Sequence, residues 1–510
     1  MLKYIYNSVW IIILFLTFTS CTKNFRDINI DPTKLTDLES ESLFTQAIIQ
    51  TSGGEYESFR GNLIYTTQFV QQFASTTYQA GDRYLFDEGY NSALWDGYYG
   101  KAIQNLVNLI EKTAGKEEEI NYHSASKVLK AFIFLRLTDI YGNLPYFNAG
   151  KGFLNGIFTP DYDEQRIVLL DIADELEVAA KSFRTDKPLK GDITSYNGNV
   201  ELWKKAAYSL LLRVGMRFSK IDPTTATSLV SKAYTNGLIS SNDETFRINH
   251  TSGVYDNPNS HILGFYPGSR SELYQNNFKF SKTFIDILKL NNDVRLKILS
   301  VIRTGGSPTD PGNENDDTFI QKGLPNGTDI SHVAGSLHTF SQLRSSFADA
   351  NDPNVIVSYA QTMLLLAEAR EKNWIQTGPS GEFYYRKGVQ AAIDLLRLYN
   401  PSSSIFESEK IETFLTGLVY PNNLEERLES INTQYYIASL LDGYEAHANW
   451  RRSNYPTLIP VNFPGNYTGG VIPRRFQYPA SEGALNTNNL DAAISKQGSN
   501  NWLTNVWWDK

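Results

Sequence analysis

Apolar residues recur at helical spacing through most of the chain after position 42. Trp95, Tyr99, Ala102/Ile103, Leu106 and Ile110 share one face. Ala125, Val128/Leu129, Phe132, Leu135 and Ile140 share a second, stopped by Gly142-Asn143-Leu144-Pro145. A second pair runs through Leu169, Ile172/Ala173, Leu176, Ala180 and Phe183, then Trp203, Ala207, Leu210, Val214 and Phe218, with Asp222-Pro223 predicted to end it. A helix from Ala226 to Leu238 is expected to close at Asn236-Gly237, a left-handed cap signal. The arrangement returns in the last third. Tyr359, Met363, Leu366/Ala367 and Arg370 precede Tyr384, Ala391/Ala392, Leu395 and Tyr399, ended by Asn400-Pro401. One more helix carries Leu424, Leu428, Ile431, Tyr435, Ala438 and Leu441, with Gly443 as its expected cap. Paired helices of this size suggest an all-α, interrupted solenoid of tetratricopeptide-like hairpins.

Between the helices the period disappears. Ala74–Tyr90, Asn249–Asn277 and Gly305–Val355 are rich in Gly, Asn, Ser, Asp and aromatic side chains. Loops this long are uncommon in compact domains unless they are functional or disordered. The first two carry enough rings to form a binding face. The tail from Trp450 to Lys510 also reads as coil, yet holds Phe463, Tyr467, Phe476, Tyr478, Trp502, Trp507 and Trp508. So many rings are expected to lie as a strap over the helices.

At the other end the pattern is of another kind. Lys3 is followed by the unbroken apolar run Val9–Leu16, shorter than the about 20 residues of a membrane-spanning helix. It suits the hydrophobic region of a secretory signal. Cys21 stands where the run stops and is the only cysteine in 510 residues, so no disulfide can form within the chain. Thr19 and Ser20 are small, as expected ahead of a lipidated cysteine, while Phe18 stands where leucine is usual. The reading is a lipoprotein: signal peptide over 1–20, Cys21 lipidated, a tether over 21–41, and a single helical domain over 42–510. Two acyl chains give stable anchoring, and no later segment reaches spanning length.

Lys and Arg total 47 against 55 Asp and Glu, a formal charge of −8. That mild acidity disfavours nucleic acid or an anionic surface as the main partner. The polar share is rich in Asn, Ser, Thr and Tyr, and 30 tyrosines with 8 tryptophans supply rigid faces with polar tips. Such a composition suits neutral, hydroxyl-rich ligands.

Catalytic constellations are missing from the pattern. None of the histidines falls in a His-Glu-x-x-His motif, and there is no Gly-x-Ser-x-Gly elbow or phosphate loop. His332 and His338 lie in a Gly/Ser-rich loop and read as solvated rather than metal-binding. Asp171 and Glu175 share a helical face, but glycosidase carboxylates converge across a cleft at about 5–5.5 or 6.5–9.5 Å; this pair is expected to face solvent. Glu368, inside an apolar helix, is expected to be buried against an arginine, Arg370 or one from the tail. Arg451, Arg452, Arg474 and Arg475 are expected to make ion pairs and carbonyl braces. No catalytic residue, metal or cofactor is expected.

The tail carries a resemblance. Gly443-Tyr444-Glu445-Ala446, Trp450-Arg451-Arg452-Ser453-Asn454-Tyr455-Pro456, Gly470-Val471-Ile472-Pro473-Arg474-Arg475 and Tyr478-Pro479-Ala480-Ser481-Glu482 resemble the C-terminal signature of SusD/RagB-type lipoproteins. Ile30-Asp31-Pro32, Asp139-Ile140-Tyr141-Gly142-Asn143-Leu144-Pro145-Tyr146, Gly191-Asp192 with Trp203-Lys204-Lys205, and Leu364-Leu365-Leu366-Ala367-Glu368-Ala369 agree in order. The resemblance implies a SusD-like helical domain with a loop-rich second half. It implies a lipid-anchored place on the outer face of the outer membrane in Bacteroidetes-type bacteria. It also implies a SusC-like TonB-dependent barrel as partner, to which glycans, or peptides in some relatives, are delivered without catalysis.

For the ligand, Tyr78-Gln79-Ala80-Gly81-Asp82-Arg83-Tyr84 combines rings that can stack on a sugar face with groups that bond its hydroxyls. In the family, residues just before the first hairpin line the ligand face, which gives this loop its position. Tyr78, Asp82, Arg83 and Tyr84 are the first candidate contacts. Tyr255, Asn257, Tyr266, Arg270 and Tyr274 are the second cluster. The rival readings are a peptide ligand, a helical scaffold that binds only proteins, and a surface-anchored glycoside hydrolase.

Overall fold

The apolar faces predicted over 95–140 and 169–218 close on one another in the computed structural model, which describes residues 38–251, 278–303, 313–333, 336–349, 351–399 and 403–510. Helix α1 (Ser40–Ser52) leads into a π-wound helix, α2 (Glu55–Thr66), that buries Phe59, Leu63, Ile64 and Tyr65. Helices α3 (Ile103–Thr113), α4 (Ile120–Tyr141), α5 (Gln165–Ser182), α6 (Val200–Arg217) and α7 (Pro223–Asn236) follow. Each packs against the next in chain order, the stacking by which repeated amphipathic hairpins bury their faces. Helix α4 is buried on nearly every side, as the centre of such an array must be.

Local chemistry sets the helix ends. Gly142 stops α4 at φ 85°, and a Cβ there would lie 2.1 Å from Gln497 Oε1. That oxygen accepts from the Asn143 N–H at 2.6 Å, so only glycine permits both the turn and the clamp. Helix α6 ends at Arg217, before the predicted stop, and Asp222-Pro223 opens α7 instead. Asp222 accepts from the Thr225 N–H at 3.0 Å, and Pro223 takes the first helical position, where its missing N–H costs nothing. Helix α7 closes at Gly237, φ 95°, as expected.

Strands are few and short. β1 (Phe73–Ser75) pairs antiparallel with β3 (Phe278–Phe280), and β2 (Phe246–Ile248) with β7 (Asn354–Val357). β4 (Ser300–Arg303) lies between β5 (Glu314–Asn315) and β6 (Gln342–Leu343). Helix α8 (Lys282–Leu290) leaves β3 directly. In the second half α9 (Tyr359–Glu371) and α10 (Gly381–Leu395) form a hairpin, flanked by α11 (Ser408–Gly417) and covered by α12 (Leu424–Ala438). The expected stop at Asn400-Pro401 lies outside the described residues.

Helix α13 (Gly443–Ser453) is absent from the apolar pattern, and Gly443 opens it instead of capping α12. Its buried residues include Glu445, His447, Asn449, Arg451 and Arg452, all polar; His447 meets the Pro473 carbonyl of the tail, and the others have partners in the helical arrays. Arg217 of α6 donates to Asp139 of α4 at 2.9 Å and to Glu445 at 2.6 Å. Arg452 donates to Glu368 of α9 at 2.5 and 2.7 Å. Arg451 donates to the Asp139 carbonyl at 2.7 Å. This helix therefore joins the two arrays through charge-assisted hydrogen bonds.

The tail contains two further helices, α14 (Ala480–Leu485) and α15 (Thr487–Gln497), where the sequence reads as coil. It is nevertheless a strap: Phe476, Trp502 and Trp508 are fully buried, and Arg474 donates to Asp509 at 2.8 Å. Ser40–Lys510 makes one compact unit. No helix among the described residues is long and apolar enough to cross a membrane.

Candidate ligand-binding groove

Loop 78–84 is pressed onto α2. A Cβ on Gly81 would lie 2.1 Å from the Ile64 carbonyl oxygen, so this approach requires glycine. The Tyr78 ring stacks on Phe278 of β3 with centroids 5.6 Å and planes 7° apart, and meets Phe59 edge-on at 5.1 Å. Asp82, Arg83 and Tyr84 turn inward, at 1%, 5% and 1% exposure. Asp82 accepts from Asn326 Nδ2 at 2.6 Å and from the Gly327 N–H at 2.7 Å. Arg83 donates to the Thr328 carbonyl at 2.9 Å, and its guanidinium lies 4.1 Å from the Phe463 ring centre. The Tyr84 carbonyl accepts from the Tyr467 N–H at 2.7 Å, and its hydroxyl accepts from the Val461 N–H at 3.3 Å. Three consecutive residues thus fasten two distant loops, 325–328 and 461–467. Burial pushes the Asp82 carboxyl up to about 7, against the pull of its two hydrogen bonds and of Arg83.

Between the fastened loops lies a groove of about 410 Å³, within the size range of small-molecule sites. One side is Pro325, Asn326 and Gly327, another is Ile459–Pro464, and Gln71, Lys282 and Thr283 complete the lining. Gln71 braces it: Oε1 accepts from Thr283 Oγ1 at 2.7 Å and from the Ile459 N–H at 3.3 Å. Apolar faces (three prolines, Ile459, Val461, Phe463) alternate with the amides of Gln71, Asn326 and Asn462 and the Thr283 hydroxyl. Lys282, the charged member of the lining, is ion-paired with Asp286. The amides of Gln71 and Asn326 are held within the protein, so the surface can hold a ring by its apolar face and bond its hydroxyls through the Asn462 amide and the remaining lone pairs of the Thr283 hydroxyl.

The predicted loop supports this groove instead of lining it, since none of Tyr78, Asp82, Arg83 and Tyr84 is part of the lining. Tyr255, Asn257, Tyr266, Arg270 and Tyr274 lie outside the described residues, as does Cys21. Asp171 and Glu175 do not simply face solvent. Both accept from the Tyr146 hydroxyl, at 2.8 and 3.1 Å, and Glu175 pairs with Lys130 at 3.0 Å, so they tie α5 to α4 and to the segment that follows it. Glu368 takes its arginine from the tail, Arg452. His332 and His338 stand in the loop region without a ligand set, and no group of three His, Cys, Asp or Glu able to hold a metal occurs among the described residues. Sequence reasoning missed the lining itself. Asn326-Gly327 and Pro464-Gly465 are legible as turns, but nothing in their spacing says that they converge.

The SusD-like family, described as starch-binding and associating with the outer membrane, matches residues 32–479. A solved chitin-binding protein is 31% identical and superposes with a TM-score of 0.82 over 92% of this chain and 100% of its own. A Bacteroidetes AC2a SusD-like protein is 23% identical, with a TM-score of 0.81 over 93% of this chain and 100% of its own. A chitin-binding SusD homolog from Flavobacterium johnsoniae is 24% identical, with a TM-score of 0.75 over 92% and 98% of the two chains. No curated protein sequence matches the chain. SusD-like proteins are binding proteins, not enzymes. With a family match from residue 32 to residue 479 and a shared fold over nearly its whole length, the chain belongs to the SusD-like family of glycan-binding, outer-membrane-associated proteins.

Proposed function

We propose that the chain binds chitin-type oligosaccharide in the groove between residues 325–327 and 459–464. It acts there as a lipoprotein, with 1–20 as signal, Cys21 as the lipid site and 21–41 as tether, and delivers the ligand to a SusC-like TonB-dependent barrel at the outer face of the membrane. The observation that carries this reading is the groove's lining of apolar faces, amides and a hydroxyl, with its lysine already paired. A neutral sugar chain fits that chemistry better than a charged ligand does. The 31% identical relative is a chitin-binding protein, which makes N-acetylglucosamine oligomers the ligands to test first. Asp82, Arg83 and Tyr84 act as positioning residues that hold the rims, and Tyr78 anchors their loop on β3.

Calorimetric titration of residues 22–510 with these oligomers tests the reading. Saturable binding without shortened product is expected. Hydrolysis of the oligomer, or no binding of any oligosaccharide while the barrel still associates, contradicts it.

A further inference from the structure

A second groove, of about 640 Å³, opens at the far end of α8. The two grooves share their walls. Lys282 and Thr283 in the first turn of α8 line the first groove, and Lys289 in its last turn lines the second. The segment beside the helix behaves the same way, with Pro325–Gly327 in the first groove and Asp316–Phe319 in the second. That segment is tied to α8 at both ends. The Lys282 N–H donates to the Leu324 carbonyl at 2.8 Å, and Lys289 Nζ lies 3.5 Å from the Phe319 carbonyl oxygen. On α8 the lining residues Thr283 and Lys289 lie roughly 9 Å apart along the axis at the helical rise. Along its exposed side Lys282, Asp286 and Lys289 form a polar rail at helical spacing.

Phe319 marks the second groove. Its ring is 91% exposed, yet the turn beneath it is locked. The Phe319 N–H donates to Asp317 Oδ1 at 2.9 Å, and Gln321 Nε2 donates to the carbonyls of Asn315 and Asp317 at 3.0 and 3.1 Å. The backbone that carries this ring is therefore set at the groove mouth, and the bare ring offers an apolar face for stacking. Several of the charges around it are paired within the protein: Glu407 holds both Lys297 and Lys410, and Arg344 holds Asp316 at 2.8 Å, while Asp317 and Lys289 meet backbone groups. Asn292 and Thr318 add an amide and a hydroxyl to the lining.

We propose that this second groove is a further sugar subsite, filled by the far end of an oligosaccharide whose near end occupies the first groove; the proposal rests on the glycan-binding reading above. Chain length then becomes a determinant of affinity, with α8 as the rail between the subsites. The test titrates the wild type, Phe319→Ala and Phe463→Ala with a disaccharide and a hexasaccharide of the series named above. The wild type is expected to bind the hexasaccharide at least about tenfold more tightly than the disaccharide. Phe319→Ala, at an exposed position, is expected to keep the wild-type thermal midpoint and disaccharide affinity but to lose the advantage of the longer chain. Phe463→Ala weakens both ligands. Hexasaccharide affinity unchanged in Phe319→Ala, or a wild-type affinity independent of chain length, overturns the subsite and leaves the first groove standing. Failure of the wild type to bind either sugar overturns both.

Discussion

Glu368 and Arg452 are 2% and 4% exposed and meet in hydrogen bonds of 2.5 and 2.7 Å. Asn432 and Asn449 accept further guanidinium protons at 2.9 and 2.7 Å. Burial raises the Glu368 carboxyl, and Arg452 more than reverses it, leaving it below the ordinary value. Removing one partner strands the other charge, so Arg452→Met is predicted to cost about 3–5 kcal/mol in denaturant unfolding. The burial of Glu368 was legible, because a carboxylate inside an apolar helical run needs a partner. The partner's identity was not, because nothing local connects positions 368 and 452. Asp82 gives a prediction of opposite sign. Its folded pKa of about 7 stands above the ordinary 3.8, so on raising the pH the unfolded chain loses the proton first. The contribution of Asp82 to stability is therefore full below about pH 3.8 and falls until about pH 7. Wild-type stability relative to Asp82→Asn should be greater at about pH 4 than at about pH 8 in paired unfolding curves. A pH-independent difference would show that folding does not raise the Asp82 carboxyl.

The helices that the apolar period predicted are those whose contact faces are built of apolar side chains. Helices α3 to α7, α9, α10 and α12 all follow from it, with ends marked by Gly142, Asp222-Pro223 and Gly237. The elements that escaped it do so for physical reasons. Helix α2 is π-wound, so its buried residues do not repeat at the α-helical period. Helix α13 buries Glu445, His447, Asn449, Arg451 and Arg452, and a pattern search for apolar residues passes over a helix held by paired polar groups. Loop 78–84 belongs to this scale as well. Its composition suggested ligand contact, whereas Asp82, Arg83 and Tyr84 serve as fasteners for the groove rims. Gly81→Ala places a Cβ 2.1 Å from the Ile64 carbonyl and must lift the loop from α2. Oligosaccharide affinity is predicted to fall by about tenfold or more in titration, with a lowered thermal midpoint. Full affinity in a folded Gly81→Ala variant would separate the loop from the groove.

At the scale of the molecule, two helical arrays meet at α13 and a ring-bearing strap closes over them. The fold class was legible because paired amphipathic helices recur along the chain. The groove was not, because its lining comes from Gln71, Lys282–Thr283, 325–327 and 459–464, segments scattered from residue 71 to residue 464 that only the folded chain assembles. Helical arrays that carry a loop-built groove fit the capture of a ligand, in keeping with the SusD-like family of binding proteins. The most direct test is calorimetric titration of residues 22–510 with an N-acetylglucosamine hexasaccharide, alongside Phe463→Ala and with product analysis. Capture predicts saturable binding by the wild type, an intact sugar afterwards, and affinity about tenfold weaker in the variant. A silent wild type, a shortened sugar, or equal binding by Phe463→Ala would contradict it.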